Sequence, residues 1–272
     1  MPSPLPEDFT RELARVAPRL GRLGRRVHYE PSVGSTNDVV SAAAAAGEPE
    51  GLVVCADEQT AGRGRLGRTW HSPPGSGLYV SVLLTPALYA TDPLRSITLV
   101  TLAAGVALSQ AVEHQTGFRP DIKWPNDLLI GRRKLAGILA EGVGPGLPRV
   151  VLGYGINVGP MVYPPDLAER ATSLANELGR HVDRTGLWAE SLACLAERYA
   201  DLLAGRFDAI LDAWRERAPS SRGAAVRWQT PDGEREGTTA GIDESGALLV
   251  QSRGTVQRIV SGEVSLSYAA GH

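Results

Sequence analysis

The sequence predicts an α+β chain, with helices interleaved among strands up to about residue 217 and short strands alone after that. Three observations carry the prediction. Apolar runs of strand length, "GLVVCADEQ" from residue 51 and "GLYVSVLL" from residue 77, are bounded by turn-forming residues. The stretch "RSITLVTLAAGVALSQAVEHQT", residues 95–116, is too long for a strand and reads as a largely buried helix. From about residue 222 helical spacing ceases, and "PDG", "ESG" and "RG" turns separate short strands. A chain of 272 residues, 43% of them hydrophobic, can bury one large core, or one core plus a small satellite domain.

Taken in order, residues 7–20 form a short helix that stops near Pro18 and Gly21. "VHYEPSVGSTNDVVSAAAAAG" then gives a strand, a turn and a helix, with Ser35 or Thr36 as N-cap and Gly47 at the end. After the strands at 51 and 77 and the long helix come "DIKW", the turn "PND", the strand "LLI", the hairpin "GRRK" and the strand "LAGILAEGV". "RVVLGYGINVG" is a further strand. Residues 184–217 are helical, with Leu187, Trp188, Leu192, Leu195, Tyr199 and Leu202 on one apolar face. The strands "AAVRWQT", "EREGTTAGID", "GALLVQS" and "TVQRIVSGEVSLSY" suit a small open barrel. "APSSRG", residues 218–223, is the expected junction between domains at 1–218 and 223–272.

A formal net charge of −2 excludes a chain-wide basic field of the kind that recruits nucleic acid. No apolar run is expected to reach bilayer-spanning length, and the opening "MPSPLPEDFTREL" lacks the order of an export signal. Cys55 and Cys194 lie 139 positions apart in apolar stretches. They read as buried thiols in a reducing cytoplasm, with no metal-ligand cluster.

Chemistry concentrates in three places. In "QTAGRGRLGRTW" the glycines at 62, 64 and 67 have the G-x-G-x-x-G spacing of a dinucleotide turn, but such a turn must open a helix. Here Pro73, Pro74, Gly75 and Gly77 follow, and the next element is a strand. What remains is a flexible loop carrying Arg63, Arg65 and Arg68, whose planar forks suit carboxylate and phosphate oxygens, or which form a solvated basic loop. Trp70 can stack on a planar ring or pack in the core.

The second place is "KWPNDLLIGRRKLAGIL". The chain has 26 arginines and only two lysines, Lys123 and Lys134, both within this segment. Against an arginine-rich background, a lysine marks a position that needs a compact point charge rather than a fork. Asn126 and Asp127 are expected at an exposed turn tip, and strand alternation is expected to aim Lys134 at the glycine loop. An ordinary hairpin with Asn and Asp satisfying the turn is the plainer reading. The third place is "GYGINVG", where Gly153 and Gly155 leave room beside a strand and Asn157 offers a donor and an acceptor, whether to a ligand or to a β-bulge.

Together, "STN" (35–37), "QTAGRGRLGRTWHSP" (59–73), "KWPND" (123–127), "KLAGIL" (134–139), "GYGINV" (153–158) and "SGEVSL" (261–266) resemble the biotin–protein ligases, strongly over roughly residues 28–160. The match is to the short class without an N-terminal helix-turn-helix, since one short helix precedes "STN", so DNA binding is not expected. The resemblance implies a mixed β-sheet flanked by helices, related to class II synthetases, followed by an SH3-like barrel. It implies ATP and biotin as substrates with Mg²⁺, formation of biotinyl-5′-adenylate, and transfer to a lysine of a biotin carboxyl carrier domain by a monomer or weak homodimer.

Carried over by motif, Ser35, Thr36, Asn37, Gln59, Gly62, Arg63, Gly64, Arg65 and Lys134 match biotin-contacting positions. Arg65, Arg68, Trp70, Asn126, Lys134 and Asn157 match nucleotide positions, with Lys134, Arg63 and Arg65 catalytic. The resemblance assigns no metal ligands. Some members carry a basic residue after the "GEVSL"-like segment, where this chain has Ser267 and Tyr268. A lipoate ligase shares the fold, but its "GG-x-x-x-x-H" segment is missing, and His71 has other surroundings. A non-catalytic biotin- or nucleotide-binding regulator would have little need to keep Lys134 and all three loop arginines.

Overall fold

The computed structural model describes residues 3–144 and 149–267. Its helices are α1 (Glu7–Val16), α2 (Thr36–Ala45), α3 (Pro86–Tyr89), α4 (Pro93–Thr116), α5 (Leu174–Leu178), α6 (Arg184–Leu203) and α7 (Phe207–Arg217). The strands of the first region are β1 (Arg26–Glu30), β2 (Leu52–Ala56), β3 (Gly77–Leu84), β4 (Asp121–Lys123), β5 (Asp127–Ile130), β6 (Arg133–Val143) and β7 (Arg149–Asn157). They form one seven-stranded sheet in the order β1-β2-β3-β7-β6-β5-β4. The β1–β2 pair is parallel and the other pairs antiparallel, so the sheet is mixed.

The sheet faces differ, and the difference positions the site. Val80, Val82, Leu84, Leu152, Tyr154 and Ile156 point to one face and pack on α4 and α6 in the main core. On the other face Leu83, Val151, Leu52 and Val54 pack under Val40 and Ala44 of α2. Every residue of β3 is buried, as expected of a strand sandwiched between helices. Ahead of the α2 N-terminus the same face carries Ser81, Gly153, Gly155 and Gly137, and the loop containing Trp70 lies over it.

One sequence expectation needs correcting here. Helix α4, at 24 residues, is long and apolar enough by composition to cross a bilayer, but 72% of its apolar window is buried inside the fold. Its apolar character is that of a core helix with α6 and α7 around it. Two short helices, α3 and α5, fall below the length at which apolar periodicity can be read. The first starts on Pro86, and the second is capped by Ser173, whose hydroxyl accepts from Asn176 N–H.

The C-terminal strands are β8 (Arg222–Thr230), β9 (Gly233–Ile242), β10 (Leu248–Ser252), β11 (Thr255–Ile259) and β12 (Val264–Leu266). They form an antiparallel sheet in the order β11-β10-β9-β8-β12. The single strand expected from Thr255 onward is two, interrupted at the Ser261-Gly262 bend, and β12 returns to pair with β8 on the far side. Tyr268, expected at the end of that strand, lies outside the described residues. This sheet docks against α4 and the β4–β5 turn: Trp124 Nε1 donates to Gly246 O at 2.9 Å and Arg95 to Glu244 O at 3.1 Å.

Candidate functional site

The loop after β2 folds as a small hairpin. Trp70 N–H donates to Gly62 O at 2.8 Å and Gly64 N–H to Arg68 O at 2.7 Å, with a 3₁₀ turn at Arg65–Gly67 forming the tip. Trp70 then lies flat on the sheet. A Cβ on Gly155 would sit 2.3 Å from its Nε1, and one on Gly137 would sit 3.1 Å from its ring. Gly137 and Gly155 are paired across β6 and β7, so the two glycines make a floor for the indole. Lys134 Nζ stands 5.3 Å from the centre of the same ring.

Alternation alone would not bring Lys134 there. Lys134 and Gly137 are three residues apart, which in a regular strand puts them on opposite faces. The register between β5 and β6 shifts between Leu128 and Leu129, leaving Leu135 as an extra residue, and this bulge turns Lys134 onto the loop side. The lysine backbone is held from both directions, its N–H donating to Arg170 O at 2.7 Å and its carbonyl accepting from Thr172 N–H at 3.0 Å. Its ammonium is 2.6 Å from Asp127 Oδ1, a buried oxygen without an aligned hydrogen bond of its own.

At the other end of the cavity, polar side chains form one connected wall at the start of α2. Ser35 is the N-cap residue, but its side chain makes no cap hydrogen bond; Gln59 Oε1 takes that place, accepting from Thr36 N–H at 2.9 Å and Thr36 Oγ1 at 3.1 Å. Gln59 Nε2 donates to Ser72 Oγ. Fully buried Ser81 lies 2.6 Å from Asn37 Oδ1 and 2.7 Å from Thr36 Oγ1. Asn37 Nδ2 donates to Glu141 Oε2 at 2.6 Å. The same oxygen accepts from Arg63 at 3.0 Å, and Arg63 also pairs with Asp38. Burial opposes the Arg63 charge, but Glu141 and Asp38 outweigh it and raise its proton affinity.

Ser35, Thr36, Asn37, Gln59, Arg63, Gly64, Arg65, Trp70, Asn126 and Lys134 thus line one cavity of about 50 Å³. Asn126 is half-buried rather than at an exposed tip: it donates to Ile138 O at 2.8 Å and accepts from Arg65 at 3.2 Å. Three expected residues do not line this cavity. Gly62 forms the neck of the hairpin. Arg68 turns away to pair with Glu263 of the C-terminal region, and Asn157 donates to Thr172 O at 2.9 Å. A larger cleft of about 440 Å³ adjoins it, with Arg65, Trp124, Pro125 and Ile138 on one side and Ser245 and Arg258 on the other.

Residues that sequence reasoning missed are Ser81, Gly137 and Glu141. In sequence, Glu141 looks like any charged residue on a strand's solvent side; its position beside Gly142 carried no signal. Lys123, flagged only by its rarity, is half-buried, and burial together with Lys134 pushes its amine below the usual range.

Comparison with known proteins places this arrangement. Residues 29–157 match the biotin/lipoate A/B protein ligase family, and residues 223–267 match the biotin protein ligase C terminal domain. The bifunctional ligase/repressor BirA of Bacillus subtilis is 37% identical over 248 residues, covering 90% of this chain and 75% of that one. The biotin–[acetyl-CoA-carboxylase] ligase of Mycobacterium tuberculosis is 32% identical over 256 residues, or 88% of each chain. Among solved structures, the biotin protein ligase from Aquifex aeolicus in complex with biotin and ATP is similar with a TM-score of 0.77 at 29% identity, covering 90% of this chain and 100% of that one. The chain therefore belongs to the biotin–protein ligase family and is an ATP-dependent ligase.

Proposed function

We propose that the protein joins biotin to ATP, forming biotinyl-5′-adenylate and pyrophosphate, and then passes biotin to a lysine of a biotin carboxyl carrier domain. A biotin carboxylate oxygen attacks the α-phosphorus and pyrophosphate leaves. The acceptor amine then attacks the acyl carbon, losing its proton, and AMP leaves. A reaction fed by ATP and a carboxylase subunit belongs in the cytoplasm.

One observation carries the reading: Arg63 and Arg65 of the hairpin and Lys134 of β6 converge on one cavity. Two anions must be brought to bonding distance there, and fixed cations cancel their repulsion without reorganising during reaction. Lys134, a compact charge between Trp70 and Asp127, suits the meeting point of carboxylate and α-phosphate. The wall of Thr36, Asn37 and Gln59 presents donors and acceptors to a small neutral ring, while Arg65 and Asn126 face the nucleotide side.

Arg68 would reach a phosphate only by leaving Glu263. Asn157 acts through Thr172, next to the segment that holds the Lys134 backbone. For Mg²⁺, Asp127 is the hard oxygen donor beside the proposed phosphate position, where its Oδ1 faces the Lys134 ammonium. The ion would neutralise charge on the phosphates. We further propose that residues 1–218 are the catalytic unit and 223–272 a separate C-terminal unit.

A volume of about 50 Å³ admits a few waters and no more, so the hairpin at 62–70 must lift for substrates to enter. Closed again over the adenylate, it keeps water from the acyl-phosphate. Incubation with ATP, labelled biotin and a carrier domain tests the whole scheme, with the wild type labelling the carrier and Lys134→Ala failing to. Pyrophosphate exchange that depends on lipoate instead of biotin would give the family's other chemistry, and exchange with neither would leave a non-catalytic binder.

A further inference from the structure

Far from the ligase cavity, the packing of α4 on α6 brings together three residues that the proposed reaction does not use. His114 is in the last turn of α4; Glu190 and Cys194 are one turn apart on α6, so both face the same neighbour. Their donor atoms form a tight triangle. His114 Nδ1 is 2.9 Å from Glu190 Oε1 and 3.8 Å from Cys194 Sγ, and Cys194 Sγ is 3.4 Å from Glu190 Oε1. Zinc bonds of about 2.0–2.3 Å to nitrogen, oxygen and sulfur at tetrahedral angles would separate such donors by roughly 3.4–3.6 Å. The triangle therefore needs shifts of only about half an ångström to hold a metal. Nothing in the sequence signals that Cys194 lies in a cluster of ligand-type side chains, because 80 residues separate it from His114 and only the helix packing joins them.

We propose that His114, Glu190 and Cys194 bind a thiophilic divalent cation such as Zn²⁺, at a site separate from the ligase cavity. Two features favour this over a plain ionic cluster. Glu190 and Cys194 are buried while the His114 side chain is 53% exposed, which leaves an approach from solvent and room for a water as fourth ligand. The surrounding charges also balance. Arg19 donates to both Glu190 oxygens and to Glu197 Oε1 at 2.7 Å, so it can keep Oε2 of Glu190 and Glu197 while Oε1 turns to the metal. A ligating carboxylate held by a second donor in this way is the usual support for a metal site. With Cys194 as thiolate, the three acids and Arg19 sum to two negative charges, which a divalent ion neutralises. A nitrogen, sulfur and carboxylate set selects against Mg²⁺, so the ion needed by the ligase reaction would not compete.

The test uses the full-length protein and Co²⁺ as a spectroscopic substitute for Zn²⁺. One equivalent of Co²⁺ should give a thiolate-to-cobalt charge-transfer band in the near ultraviolet, together with tetrahedral visible bands that Zn²⁺ displaces. Both should persist in Cys55→Ser and vanish in Cys194→Ser and His114→Ala. The His114 side chain is half exposed, so that variant keeps the core intact and decides the matter if Cys194→Ser does not fold. Absence of the band at saturating cobalt in the wild type, or its survival in either His114→Ala or Cys194→Ser, overturns the proposal.

Discussion

At Gly153 a side chain is excluded by a contact, not by backbone conformation. A Cβ there would lie 2.0 Å from Asn37 Oδ1, which is itself held by fully buried Ser81, so the Asn has nowhere to retreat. Gly153→Ala should therefore push Asn37 off the wall and weaken biotin binding about tenfold or more, the loss of roughly one hydrogen bond. Titration calorimetry with biotin checks this, and an unchanged affinity would remove Asn37 from the biotin wall. Lys134→Arg keeps the charge but replaces a point with a fork that must fit between Trp70 and Asp127. Biotin-dependent pyrophosphate exchange should fall by roughly 10²–10³, the usual cost of losing one group that stabilises a transition state. Near-normal exchange would reject the role. The lysine was legible in the sequence because lysine is rare there. Its partner Asp127 was seen only as a turn residue, since no local pattern shows that the bulge at Leu135 brings the two side chains together.

Elements were legible where their physical cause is local. The apolar runs of β3 and β7, the long α4 and the glycine-ended α2 are stated directly in residue type and spacing. The hairpin at 62–70 was legible as a loop, but its folded form was not, because it depends on Trp70 finding a floor at Gly137 and Gly155 in distant strands. Gly64 is extended there (φ −110°), and a Cβ would meet only ordinary contacts at 3.5 Å, so the empty hairpin accepts Gly64→Val. Branching next to Arg63 and Arg65 would instead hinder closure over ligand. The variant should release biotinyl-adenylate into solution severalfold faster, measured without carrier domain, and unchanged retention would sink the lid. Helix α6 supplies a second element-scale prediction. Its N-cap Asp183 accepts from Gly186 N–H, which, with help from Thr185 and His181, holds the carboxyl below its usual range against the effect of burial. A depressed carboxylate stabilises the fold above its unfolded pKa, and that contribution is lost as pH falls through the folded value. Asp183→Ala should cost about 1 kcal/mol at neutral pH, and the difference from wild type should shrink in acid, below the ordinary carboxylate pKa. Denaturant melts at both pH values would show it.

On the scale of the whole molecule, the sequence showed where the strand-only region begins but not how it meets the rest, since docking depends on surfaces that both regions must first build. The join has a packed part and a polar part. Trp124 donates to Gly246 O, and a Cβ on Gly246 would strike Leu99 and Leu102 of α4, each at 2.9 Å, so the contact is tight and belongs to stability. The polar part is the Arg68–Glu263 pair, with side chains 58% and 37% exposed, and it ties the hairpin at 62–70 to the C-terminal sheet. An ion pair so open to water contributes about 1 kcal/mol at most to folding. In the proposed scheme, where the hairpin lifts and reseats in every cycle, the same small energy matters more, because the closed population responds directly to each contact that holds it down. Glu263→Ala is therefore expected to leave the unfolding temperature within a degree or two of wild type while speeding escape of biotinyl-adenylate, a split that a packing defect would not produce. Equal adenylate retention in the variant would show that the C-terminal sheet steadies the fold without steadying the lid.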